Sequence, residues 1–154
     1  MEVSPRRIRW EPVLVLFICT AADAQVRWET CQFEVTATAE QTNTVARFPF
    51  KNVGTNTVRI LDLRSSCGCT TATLEKKTYQ SGEKGELTAN FVFGQRVGLQ
   101  EKTILVQTDD PKTPTTILKL RVHIPEVLKI NPPFVFWKVG EPTISKELTL
   151  TAGE

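Results

Sequence analysis

Histidine is almost missing from this chain: His123 is the only one among 154 residues, which also hold one methionine and one tyrosine. Without a second imidazole, a His-based zinc or copper cage is unavailable, and a Ser-His-Asp device would hang on this single residue. No G-x-S-x-G, H-E-x-x-H, P-loop or G-x-G-x-x-G pattern occurs. No helix-period apolar stripe of convincing length follows residue 25, and no apolar run approaches the roughly 20 residues that a spanning helix needs. Charge of one sign is lacking too. The formal net charge is +2 with both signs interspersed, and no Lys/Arg-rich arm or aromatic-basic stripe is present, which excludes nucleic acid and acidic membrane as evident partners. The expectation is a protein without enzymatic activity.

What is present begins with an address. Arg6, Arg7 and Arg9 form a basic stretch, Val13–Cys19 a short apolar one, and Ala22-Asp23-Ala24 supplies small residues at the positions that leader peptidases read. Residues 1–24 are therefore expected to be a signal peptide, cut after Ala24, and the mature chain to be exported to the periplasm or cell surface. Cleavage removes three basic and three acidic residues, so the net charge is unchanged. It also removes Cys19 and leaves Cys31, Cys67 and Cys69, an odd number that predicts at least one thiol over.

The remainder alternates with period two in short runs separated by Gly, Pro, Asn and Asp. Phe33 and Val35 open a strand. Val45–Val53 follows, with Ala46, Phe48 and Phe50 on one face and Arg47 and Lys51 on the other. Pro49 has no N–H to give a ladder, which predicts an edge or a bulge there and marks this strand as a candidate sheet edge. Asn52–Asn56 is a turn in which Gly54 is expected to supply a positive φ. Thr57–Arg64 is the next strand, Ala72–Tyr79 a weak one, and Glu86–Phe93, Gln100–Thr108 and Thr116–Ile124 complete the set. His123 falls on the polar face of the last, and Asp109-Asp110 beside Pro111 reads as turn chemistry. About seven short strands with regular turn signals predict an all-β, immunoglobulin-like β-sandwich over residues 25–125. Residues 126–154 hold Phe134–Trp137, a Gly140-Glu141-Pro142 turn and Ile144–Thr151. They are expected to form the first strands of a second, incomplete sandwich, or a C-terminal β extension.

The most specific local signal is Ser66-Cys67-Gly68-Cys69-Thr70. In an extended strand the two cysteine Cα atoms would lie about 6.6 Å apart, at the upper limit for a disulfide, and Gly68 gives the backbone freedom to close that distance. A structural disulfide, a pair of buried thiols, a soft-metal site for Cu(I) or zinc, and a redox-sensing pair all stay open from the residues alone. Cys67 and Cys69 are the only metal candidates, and no cofactor is expected.

Phe50-Lys51-Asn52-Val53-Gly54, Val58-Arg59-Ile60, Ser66–Thr70, Gly82-Glu83-Lys84-Gly85 and Val106–Asp110 together resemble the bacterial domain-of-unknown-function 1573 family. That family shares an F-x-N-x-G, S-C-G-C-T and P-G-E-x-G pattern; Ser81 stands where proline is usual, and Cys31 lies outside the pattern. The resemblance spans residues 28–125. It implies an exported sandwich related to PapD-like and ASH/MSP domains, often found beside a second such domain, with no established activity. The expected function is a binding or scaffolding module that recruits a protein through an exposed strand edge or end loops. The alternative is a thiol-based metal-binding or redox domain centred on Cys67 and Cys69.

Overall fold

The computed structural model describes residues 24–140, 142 and 144–153. The expected basic and apolar stretches, Cys19 and Ala22 lie outside the described residues, as does Glu141 of the predicted turn; Ala24 is the first residue described.

Eleven strands are present among the described residues: β1 (Val26–Trp28), β2 (Gln32–Thr36), β3 (Asn43–Asn52), β4 (Val58–Ser65), β5 (Thr70–Leu74), β6 (Thr78–Tyr79), β7 (Lys84–Val92), β8 (Gly98–Thr108), β9 (Thr115–Ile124), β10 (Leu128–Asn131) and β11 (Thr149–Ala152). The first nine make an immunoglobulin-like sandwich. One sheet runs β1-β3-β7-β5 and the other β2-β9-β8-β4-β6. Neighbours pair antiparallel except β2, which lies parallel to β9. Alternation places the core as the sequence predicts. Ala46, Phe48 and Phe50 of β3, Leu87, Ala89 and Phe91 of β7, and Leu118, Leu120 and Val122 of β9 are all fully buried. Phe50 is clasped between Trp28 and Tyr79, with ring centroids 4.7 and 4.8 Å away. A Cβ on Gly85 would fall 2.5 Å from both Phe50 and Tyr79, so this aromatic stack needs glycine there.

Several expectations are corrected. β3 is a central strand, paired with β7 along its length and with β1 over Phe50–Asn52. Pro49 accepts a hydrogen bond from Glu29 N–H at 3.0 Å, and in an antiparallel pair a residue's N–H and C=O face the same neighbour. The missing donor therefore deletes only the return bond to Glu29, where β1 has already ended. Gly54 does not adopt a positive φ. A Cβ there would lie 2.7 Å from Cγ of Gln25, so close approach is what requires glycine. Within the same motif, Asn52 is fully buried; its amide donates to Asn56 O and Tyr79 O at 2.8 and 2.9 Å and accepts from Gly54 N–H at 3.0 Å. The weak strand over 72–79 is two strands in different sheets, separated by Glu75-Lys76-Lys77. A bulge at Leu61 shifts the phase of β4, so that Leu63 rather than Asp62 turns toward the core.

Beyond Ile124, Phe134–Trp137 is not a strand. Instead β10 pairs with β11, from Leu128↔Ala152 to Asn131↔Thr149, and every residue of both is exposed. Trp137 Nε1 donates to Ile144 O at 3.1 Å, and the Lys146 ammonium sits over the Phe136 and Trp137 rings. No helix among the described residues is long and apolar enough to cross a membrane.

Candidate functional site at the open flank

The cysteine motif is the link by which the chain leaves one sheet and enters the other. β4 ends at Ser65, Ser66–Cys69 crosses the flank of the sandwich, and β5 begins at Thr70. Ser66 is fixed on both sides: its N–H donates to Thr103 O at 2.9 Å, and its hydroxyl accepts from Thr103 N–H at 3.1 Å. Thr70 N–H turns back to Cys67 O at 3.3 Å, and Val92 N–H reaches Cys69 O at 3.0 Å. The three residues Cys67-Gly68-Cys69 thus form a turn, not an extended strand, and their Cα ends approach to 5.3 Å. Cys67 and Cys69 are joined by a disulfide. As a disulfide neither sulfur is a thiolate, the form that ligates soft metals. Cys31 is also disulfide-bonded, so no free cysteine occurs among the described residues.

β5 pairs with β7 alone. In that register Thr71 and Thr73 face β7, while the backbone groups of Ala72 and Leu74 point away from the sheet without a partner among the described residues. The strand reads Thr-Thr-Ala-Thr-Leu, with no charge, proline or bulge of the kind that usually protects an edge. The other edges differ. β1 is three residues long with Arg27 at its centre, β2 carries Glu34, and β6 has only two residues.

Beside the β5 edge the two sheets part into a cleft of about 320 Å³. Its floor is Ile60, Leu63, Ala72 and Leu74, and its rim carries Asp62 and Lys77. The Arg64 guanidinium, 2.7 Å from Asp62 Oδ2, holds the Asp62 carboxyl below the usual carboxylate range, with help from Leu63 N–H. The far side of the cleft is framed by the β5–β6 crossing. There Ile60 N–H donates to Lys77 O at 2.7 Å, and Lys76 pairs with Glu83. That pair raises the Lys76 pKa and lowers that of Glu83.

The remaining sequence candidates lie elsewhere. His123 is exposed on β9. Asp109 and Asp110 are turn residues, as expected, but Asp110 is also buried, at 1% exposure. Among the described residues no group of three or more His, Cys, Asp or Glu is arranged to hold a metal. The Ala72–Leu74 edge and its cleft were not visible in the sequence; the one trace of them is that Thr70–Leu74 carries no charge.

None of the curated proteins matches the chain. Among solved structures, a protein of unknown function from Porphyromonas gingivalis W83 is 16% identical with a TM-score of 0.57, and the match covers 64% of this chain and 46% of that one. The YadV chaperone is 12% identical with a TM-score of 0.51, covering 70% of this chain and 60% of its own. The secreted serine protease VesC from Vibrio cholerae is 8% identical with a TM-score of 0.52 over 66% of this chain and 23% of the protease. These likenesses are of fold, and the chain spans under half the length of the P. gingivalis protein. The sequence profile described as "Protein of unknown function (DUF1573)" matches residues 26–124, from the first strand of the sandwich to its last, and the chain belongs to that family.

Proposed function

We propose that this protein is an exported, non-catalytic binding module that takes up a segment of another polypeptide as an added strand along β5. The observation that carries this reading is the pairing of an unprotected edge with a cleft. Ala72 and Leu74 offer outward N–H and C=O groups, and side chains at alternate positions of an added strand point into the space lined by Ile60, Leu63 and Leu74. The chemistry selects an extended, uncharged segment with an apolar residue at every second position.

The magnitudes set the scale. About four backbone hydrogen bonds at roughly 1 kcal/mol net each, and one aliphatic side chain at roughly 1.5–3 kcal/mol, must exceed the freedom lost on association. Binding is therefore micromolar or weaker for a short segment. In this reading the Cys67–Cys69 bond is structural: it pins the turn that delivers β5 to the edge, and no Cu(I), zinc or other cofactor is assigned to it. The mature protein faces the periplasm or the cell surface.

Selection of random-sequence displayed peptides against the exported protein tests the proposal, with Ala72→Pro as counter-target. Because the Ala72 N–H faces outward, proline there removes no bond to β7 while it blocks an incoming strand. Selected peptides are expected to alternate apolar residues and to lose binding to Ala72→Pro. Peptides that bind the folded variant equally well would overturn the proposal.

A further inference from the structure

Asp110 is a buried carboxylate whose two oxygens are engaged by backbone donors. Lys112 N–H donates to Oδ1 at 2.9 Å within the local turn, and Gln25 N–H donates to Oδ2 at 2.8 Å across 85 positions of sequence. Thr108 Oγ1 accepts from the Asp110 N–H at 3.3 Å. Gln25 is itself held: its carbonyl accepts from Val53 N–H at 2.7 Å, and its side chain lies against Gly54. Oε1 of Gln25 is buried without a hydrogen-bond partner. The residue that donates to Asp110 is thus the one that follows Ala22-Asp23-Ala24, the expected cleavage sequence.

We propose that the mature N-terminus is a built-in structural group: the α-ammonium created at Gln25 docks on the buried Asp110 carboxylate and locks the first strand to the β8–β9 turn. The proposal rests on the export reading given above. Hydrolysis by a leader peptidase adds water across the Ala24–Gln25 bond. The hydroxyl oxygen goes to the Ala24 carbonyl carbon, which leaves as a carboxylate with the leader, and the Gln25 nitrogen takes up protons to become –NH₃⁺. The neutral N–H at 2.8 Å from Oδ2 is replaced by a cation at the same place. A charge-assisted bond is about twice as strong as a neutral one, and the carboxylate it meets is already desolvated, so the usual penalty for burying an ion pair falls mainly on the ammonium. Ala24 is half-exposed, which leaves that side of the ammonium open to water, and Gln25 Oε1 supplies an acceptor on the same residue. Docking is expected to keep the amine of a chain that starts with glutamine. Closure of Gln25 to a lactam would expel ammonia and leave a neutral N–H facing Asp110.

The experiment uses protein exported by the cell, with three readouts. Intact mass is expected to begin at Gln25 with no loss of ammonia; a different start or a lactam overturns the proposal, the former by removing the export site itself. Insertion of one alanine between Ala24 and Gln25 moves the ammonium off Asp110 after cleavage, and this is expected to lower Tm by about 4–8 °C. Asp110→Asn is expected to lower Tm more in the exported protein than in the insertion variant, where only the neutral N–H bonds from Gln25 and Lys112 remain to be lost. Finally, an amine-acylating reagent is expected to modify the Gln25 amine several-fold more slowly in the native protein than the new N-terminus of the insertion variant. That readout needs no folded Asp110→Asn. Equal reactivity and equal Tm, with the N-terminus still at Gln25, would overturn the ion pair while leaving export intact.

Discussion

The two flanks of this sandwich are closed by different means. On one, the chain passes from β1 to β2 between Glu29 and Cys31, and the seam is filled by the buried Val26 and Trp28 with the half-buried Phe33 and Val35 beside them, Lys119 N–H donating to Cys31 O at 2.8 Å. On the other, two crossings, Ser66–Cys69 and Glu75–Lys77, frame an opening. The side chains between them, Leu63, Ala72 and Leu74, are only half-buried. The sealed flank invests its residues in stability. The open flank carries the most specific motif of the sequence, and its contribution to stability is expected to be small because its aliphatic side chains are only partly removed from water. A motif can mark a family without marking the core.

This contrast is open to direct attack, and the largest effect belongs to the sealed flank. Trp28, 2% exposed and packed on Phe50, is expected to cost about 3–5 kcal/mol on substitution by alanine, measured by urea unfolding. If Trp28→Ala cost no more than a surface change, the flanks would not differ as described. Replacing Cys67 and Cys69 together by serine opens a very short loop and is expected to cost about 1–2 kcal/mol. Elemental analysis of protein purified under reducing conditions is expected to show no stoichiometric copper or zinc; finding either, lost in the double serine variant, would favour the metal alternative. Leu74→Ala at the open flank is expected to change stability by less than about 1 kcal/mol while weakening the binding of selected peptides.

The smallest effect is electrostatic. Glu83 has its pKa lowered chiefly by the Lys76 hydrogen bond, so its contribution is present above the ordinary 4.5 and is lost as pH falls through the folded value. Lys76 has its pKa raised by the same bond, so its contribution is full below the ordinary 10.5 and is lost as pH rises through the folded value. Both groups are exposed to solvent, which screens the pair. Glu83→Gln is expected to flatten the shallow plateau of urea midpoint between those limits, and an unchanged profile would remove the pair from the account.

The sandwich itself was legible because alternation is a strong signal when one face is buried: Phe48 and Phe50, Leu87 to Phe93, and Leu118 to Ile124 all lie where period two puts them. β1 and β6 were not legible, since three and two residues carry no period. Pro49 pointed to an edge because the sequence does not say which neighbour its missing N–H would have faced. The β5 edge was hidden for a related reason. Whether a strand is central or terminal depends on the order of the whole sheet, and Thr70–Leu74 acquires its free side only because, among the described residues, no other strand follows it beyond β7. The cysteine spacing left several chemistries open because it did not reveal that Cys67-Gly68-Cys69 is a turn.

The central claim is that β5 is the docking edge, and amide hydrogen exchange read residue by residue tests it most directly. In the free protein Ala72 and Leu74 are expected to exchange quickly while Thr71 and Thr73, bonded to β7, are protected. On saturation with a selected peptide, Ala72 and Leu74 are expected to slow to the level of their neighbours. Protection that appears instead along β1 or β2, with Ala72 and Leu74 unchanged, would contradict the account.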